Sequence, residues 1–109
     1  MHELAITQSV VDTVTARLPD ARVLSITLEI GRLSGVVSDS VRFCFPMCVD
    51  GTPLHGTELE IIDIPGRAYC HGCDRDIELP DPIPLCPCGS TDLRVTSGHE
   101  LTIKHVKVA

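Results

Sequence analysis

The sequence predicts an α+β fold: two helices packed on a small, mostly antiparallel sheet, interrupted by a cysteine-bearing insert. Three observations carry that expectation. Apolar residues recur at helical spacing between Leu4 and Leu18, and they alternate with polar ones along "RVLSITLEIG". Between residues 66 and 92 aliphatic content falls while four cysteines and Pro80, Pro82, Pro84 and Pro87 crowd in. At 109 residues and 43% hydrophobic the chain is one globular unit with a small annex, and with two Phe, one Tyr and no Trp its core must be aliphatic.

The first helix spans Leu4 to Leu18, with Leu4, Val11, Val14 and Leu18 as its stripe and Ile6 and Val10 widening it. Pro19-Asp20 stops it. In the strand that follows, Leu24, Ile26, Leu28 and Ile30 share one face, Ser25, Thr27 and Glu29 the other, and Gly31 closes it. Ser38 or Asp39 can N-cap a second helix carrying Val41, Phe43, Cys44, Phe45 and Cys48, and Pro46 is expected to shorten or kink it. The i, i+4 spacing of Cys44 and Cys48 invites a thiol-pair reading. Their setting in "VRFCFPMC" favours two buried core cysteines. "DGT" from Asp50 ends this helix, "TELEIIDI" reads as a strand, and "LRVTSGHELTIKHVKV" as a last strand or a hairpin turning at Gly98.

Composition also excludes function classes. A formal charge of -6 with nine scattered basic residues argues against a nucleic-acid surface, which needs clustered Lys and Arg. No apolar run approaches the ~18 residues of a membrane helix, and the start lacks a basic n-region followed by an apolar core, so the expected location is cytoplasmic, with no membrane partner. No Ser-His-Asp set, phosphate loop or carboxylate pair presents itself, and the chain is not expected to be an enzyme.

The stretch "YCHGCDRDIELPDPIPLCPCGS" holds Cys70 and Cys73 as a C-x-x-C, then Cys86 and Cys88 as a C-x-C before Gly89. Two thiolate pairs on two turns can close a tetrahedral cage, and zinc suits that cage. Gly72 permits the tight first turn, while in extended chain a C-x-C already points both sulfurs to one side, with Pro87 stiffening the bend. Two disulfides would suit an exported chain, and a redox C-x-x-C would sit at a strand-helix junction. A single iron ion takes the same four thiolates, and His71 is a spare donor. Four thiolates leave no open position, so the site is structural. A segment of under ~40 residues needs such a staple. The expected organisation is thus an α+β domain of residues 1–65 and 93–109 around a zinc-ribbon-like, zinc-binding module of residues 66–92.

The chain begins Met1-His2-Glu3. A lone terminal histidine is commonly just solvated, and Glu3 in a first helical turn suits the helix dipole. Position 2 has chemistry of its own, however. A free α-amine, the following backbone nitrogens and the His2 imidazole can form small chelate rings, and four nitrogens in a plane are what Ni(II) and Cu(II) accept.

The opening "MHELAITQSVVDTV", the block "LEIGRLSGVVSDSVRFCF", "GTELEIIDIPGRAYC", the cysteine pairs, and "CGSTDL" leading to "GHELTIKHVKV" resemble, in that order and over essentially the whole chain, the HypA/HybF family of nickel-hydrogenase maturation factors. The resemblance implies a nickel metallochaperone with transient Ni(II) at His2, with Met1 and Glu3 beside it, and structural Zn(II) at Cys70, Cys73, Cys86 and Cys88. It further implies work with the GTPase partner HypB to deliver nickel to the hydrogenase large subunit, and in some relatives with urease maturation proteins. Homodimer formation is left open. The family more often has C-x-x-C at the second pair, where this chain has C-x-C. The competing class is a zinc-ribbon adaptor that binds a protein and no nickel.

Overall fold

A computed structural model describes residues 2–109. In chain order the elements are α1 (Glu3–Arg17), β1 (Val23–Gly31), α2 (Ser38–Val49), β2 (Glu58–Ile64), β3 (Gly66–Cys70), β4 (Arg75–Leu79), β5 (Leu93–Ser97) and β6 (Leu101–Val108). They form two three-stranded sheets, ordered β2-β1-β6 and β4-β3-β5. Three of the four pairings are antiparallel, as expected. The exception, β1 with β2, is parallel because α2 carries the chain back across the sheet between them.

The main core lies between the helices and the first sheet. Val10, Val11 and Val14 of α1 and Val41, Phe45, Cys48 and Val49 of α2 pack on Ile26, Leu28 and Ile30 of β1. Cys48 is therefore a core residue, and burial raises its thiol above the ordinary value. Cys44 is half-buried.

Local expectations are met unevenly. Leu4 was expected to face the core, yet it is 55% exposed, and Glu3 and Thr7 take the buried positions on that side of α1. Neither Ser38 nor Asp39 caps α2: Val37 stands at the N-cap and its carbonyl accepts from the Ser40 and Val41 N–H groups. The Ser38 hydroxyl instead donates to Asp63, and Asp39 pairs with Arg42. Pro46 does not cut α2 short, since the helix runs on to Val49. Phe43 was placed on the helix as an apolar residue and is 77% exposed.

The largest departure concerns Gly98. The sequence offers one last strand or a hairpin turning at Gly98, but there are two strands and β5 and β6 do not pair with each other. β5 pairs with β3 in the second sheet and β6 with β1 in the first. Gly98, with φ 111°, is where the chain passes from one sheet to the other. Two more glycines meet it there. A Cβ on Gly31 would run into the Gly98 carbonyl oxygen, and one on Gly98 would lie 2.7 Å from the Gly66 Cα. The Gly31 and Leu33 N–H groups donate across this junction to the Glu100 and Gly98 carbonyls. Two sheets joined end to end give a long molecule, with a radius of gyration of 17.0 Å against about 13 Å for a compact chain of this length.

Candidate metal centre

The second sheet has almost no core. Its buried apolar residues are Leu33, Ala68 and Leu79, with Ile77 and Leu93 partly buried around them. What the sheet does instead is aim two turns at one point.

β3 ends on Cys70, and the turn from His71 to Asp74 leads into β4. Asp74 adopts φ 54°, a left-handed conformation that short polar residues tolerate, and its carboxylate accepts from the Tyr69 hydroxyl at 2.6 Å. Gly72 is needed because the second turn lies against it: a Cβ there would meet Ser90 Cβ at 2.7 Å. That second turn is closed by the Gly89 N–H donating to the Cys86 carbonyl at 2.8 Å and the Cys86 N–H to the Ser90 carbonyl at 3.0 Å. Gly89 sits at φ 94°. The Cys88 N–H points at Cys86 Sγ at 3.5 Å, the kind of donor that stabilises a metal-bound thiolate.

All four sulfurs lie within 4.8 Å of one another. Cys70 Sγ is 3.7 Å from Cys88 Sγ, and Cys73 Sγ is 3.7 Å from Cys86 Sγ. A tetrahedron with zinc–sulfur bonds of ~2.3 Å has edges of about 3.8 Å, so the cage fits the ion. Cys70 and Cys86 are buried, Cys73 is half-buried and Cys88 exposed. The shorter spacing of the second pair therefore does not keep Cys86 out of the cluster.

Cys70 and Cys86 are shifted in opposite directions. Burial raises Cys70, but the Cys73 and Gly72 N–H groups and the neighbouring thiols outweigh it and bring Cys70 down to about 6. At Cys86 the Cys88 N–H lowers the value, whereas burial and three neighbouring thiols push it up to about 12. Crowded sulfurs cannot all ionise without a cation. Arg75 supplies part of that charge from outside the cage, and its contact with Cys73 raises the guanidinium further. Sequence reasoning missed Arg75 and Asp74, although an Asp directly after the C-x-x-C is a signal for a left-handed turn. His71 does not join the sulfurs: it is exposed and stacks edge-on against Tyr69 at 5.1 Å between centroids.

The other candidate site is the chain start. Met1 lies outside the described residues. His2 is exposed and occupies the N-cap of α1, its carbonyl accepting from the Ile6 N–H at 2.9 Å. Glu3 is buried, and its Oε2 accepts from the Val37 N–H at 3.1 Å, tying the first turn of α1 to the entry of α2. That N–H is the main reason the Glu3 carboxyl is held below its ordinary value. Thr7 donates its hydroxyl to the Glu3 carbonyl at 2.6 Å. His2 stands at the start of α1, which packs on the first sheet, whereas the cysteine cluster lies on turns of the second sheet.

A family model described as "Hydrogenase/urease nickel incorporation, metallochaperone, hypA" matches residues 1–108. The chain belongs to the HypA family. It is 44% identical over 108 residues to the hydrogenase maturation factor HypA of Nostoc punctiforme, covering 99% of this chain and 96% of that protein. With HypA of Geobacter metallireducens the identity is 45% over 109 residues, covering 99% of each. The solution structure of the Ni metallochaperone HypA from Helicobacter pylori matches with a TM-score of 0.66 at 18% identity, over 99% of this chain and 97% of that one, and shows the same fold. HypA is a nickel metallochaperone family concerned with hydrogenase and urease nickel incorporation. Its four-cysteine cluster here is suited to structural zinc. No helix among the described residues is long and apolar enough to cross a membrane.

Proposed function

We propose that this chain carries Ni(II) at its first residues and releases it to the hydrogenase large subunit during maturation, while Cys70, Cys73, Cys86 and Cys88 hold a permanent Zn(II). The observation that carries the reading is the arrangement of the first turn. Glu3 is fastened to Val37, so the exposed His2 imidazole is presented from an anchored helix end. Glu3 thereby serves as a positioning residue for the nickel site, and the nitrogen donors are His2, the amine of Met1 and the backbone between them. Nitrogen donors of this kind form square-planar complexes with Ni(II), and an exposed site can pass its cargo on. The chain performs no catalysis of its own in this scheme, acts in the cytoplasm, and works with the GTPase HypB and, where urease is served, with urease maturation proteins.

The alternative, a zinc-ribbon adaptor with no nickel role, predicts the same cysteine cage and an idle N-terminus. Nickel titrated into zinc-loaded, tag-free protein separates the two. His2→Ala, and a single residue inserted between Met1 and His2, should each abolish tight nickel binding while zinc content stays at one per chain. Retention of native nickel affinity in His2→Ala would leave the adaptor reading standing.

A further inference from the structure

Three strands lie under two helices in the first sheet, and the cover is uneven. β6 is an edge strand: β1 takes its inner hydrogen bonds, and among the described residues no strand pairs with its outer side. Register places Leu101 and Ile103 opposite Ile30 and Leu28 and, beyond a bulge at Lys104, Val106 opposite Ile26, on the side facing the helices. α1 does not roof them fully. Leu101 remains 42% exposed, and a groove of about 540 Å³ runs between helix and strand, walled by Ile6, Val10 and Arg17 on one side and Leu101 and Ile103 on the other. An open strand edge beside an uncovered apolar groove accepts one more strand. Along Leu101 to Ile103, where β6 is regular and lines the groove, the added strand's backbone would complete the ladder and its alternate side chains would drop into the groove, the bulge at Lys104 ending that regular stretch.

The remaining side chains of such a strand would meet the charge of β6. Lys104, His105 and Lys107 are exposed, and His105 and Lys107 stand opposite Thr27 and Ser25 on the polar side of the sheet. The acidic residues Glu58 and Glu60 lie on the opposite edge strand, β2. In a chain of formal charge -6, a basic edge is a local selector. Two copies pairing β6 with β6 would set like charges against one another, which is destabilising. Pairing β2 of one copy with β6 of the next is head-to-tail and would give a ring or a filament, not a self-complementary pair.

We propose that the outer edge of β6, with the groove beside α1, docks an extended segment of a partner protein in which apolar and acidic residues alternate. β2 already shows that this sheet takes such a pattern, since Leu59 and Ile61 pack toward the main core while Glu58 and Glu60 stay exposed. The groove starts at Ile6, one helical turn from His2, so a docked segment would lie alongside the end of the chain that carries the metal. Nickel is not required for the docking, and its test is made without nickel, so it can fail while the nickel assignment stands.

The probe is a capped synthetic octapeptide of alternating valine and glutamate, titrated into the zinc-loaded full chain. A valine-lysine octapeptide and a backbone N-methylated valine-glutamate octapeptide serve as comparisons. The valine-glutamate peptide should slow amide exchange in residues 101–108 and bind at least about tenfold more tightly than the valine-lysine peptide. N-methylation should abolish binding, and the surface double variant Lys104→Glu/Lys107→Glu should reverse the preference between the two charged peptides. Binding indifferent to peptide charge or to N-methylation would overturn the proposal. So would protection that appears away from β6, or self-association of the peptide-free chain that protects β6 by itself.

Discussion

The two sheets of this protein are held by different physics. Among the described residues the first sheet and its helices share a core of twelve buried residues, whereas the apolar cluster against the second sheet has three, Leu33, Ala68 and Leu79. At roughly 1.5–3 kcal/mol for each large aliphatic side chain fully removed from water, the first core gains several times what the second does from burial. A tetrathiolate cage supplies what the second lacks, because a metal site absent from the unfolded chain contributes its binding free energy to folding. The difference teaches where each unit is vulnerable: one to loss of packing, the other to loss of an ion.

That contrast breaks most sharply under a reciprocal pair of substitutions. Cys73→Ser should eliminate zinc and unfold β3, β4 and β5, abolishing the near-ultraviolet signal of Tyr69 while the far-ultraviolet helical signal persists. Phe45→Ala, a cavity in the main core, should lower the stability of that unit by about 3–5 kcal/mol in a denaturant titration and leave zinc content unchanged. A single substitution that abolished both would show that the two units fold as one.

The glycine junction sharpens the comparison, since there the two units touch backbone to backbone. Gly31→Ala would drive a methyl group into the Gly98 carbonyl, and backbone cannot step aside as a side chain can. An overpacking cost of about 3 kcal/mol is expected, with faster amide exchange at Leu33 and in residues 98–100. If thermal unfolding is unchanged, the junction is looser than its spacing implies.

The smallest effect concerns acid. The folded-state carboxyl of Glu3 lies below its ordinary value, chiefly through the Val37 N–H. Its contribution is therefore present above the unfolded carboxylate pKa of ~4.3 and is lost as pH falls through the lower folded value. Followed by NMR, the Val37 amide should shift only at pH values below the ordinary carboxylate range. Glu3→Gln should remove that acid step without altering zinc content.

Particular residues show how much of this was legible in the sequence. Periodicity placed α1, β1 and β2 within a residue or two, because aliphatic alternation and helical spacing are read directly by burial. The four cysteines converge as their spacing implied. The first turn of α1 was misread because Glu3 is buried to serve a distant N–H at Val37, thirty-four residues on, and no local pattern encodes such a partner. The path of β5 was misread for a related reason. A glycine between two strands ordinarily signals a hairpin, and only the stacking of Gly31, Gly66 and Gly98 from three separated segments reveals a crossing between sheets. Pro46 was expected to disturb α2, yet Phe45, Cys48 and Val49 on either side of it are all buried, and their packing offsets one missing N–H donor.

Amide hydrogen exchange on the full chain, before and after zinc is withdrawn by a chelator, tests the central claim most directly. The account predicts that residues 66–79 and 86–97 lose protection together while α1, β1, α2 and β2 keep theirs, and that zinc returned to the chain restores the pattern. Uniform loss of protection along the chain, or none in the second sheet, would contradict it.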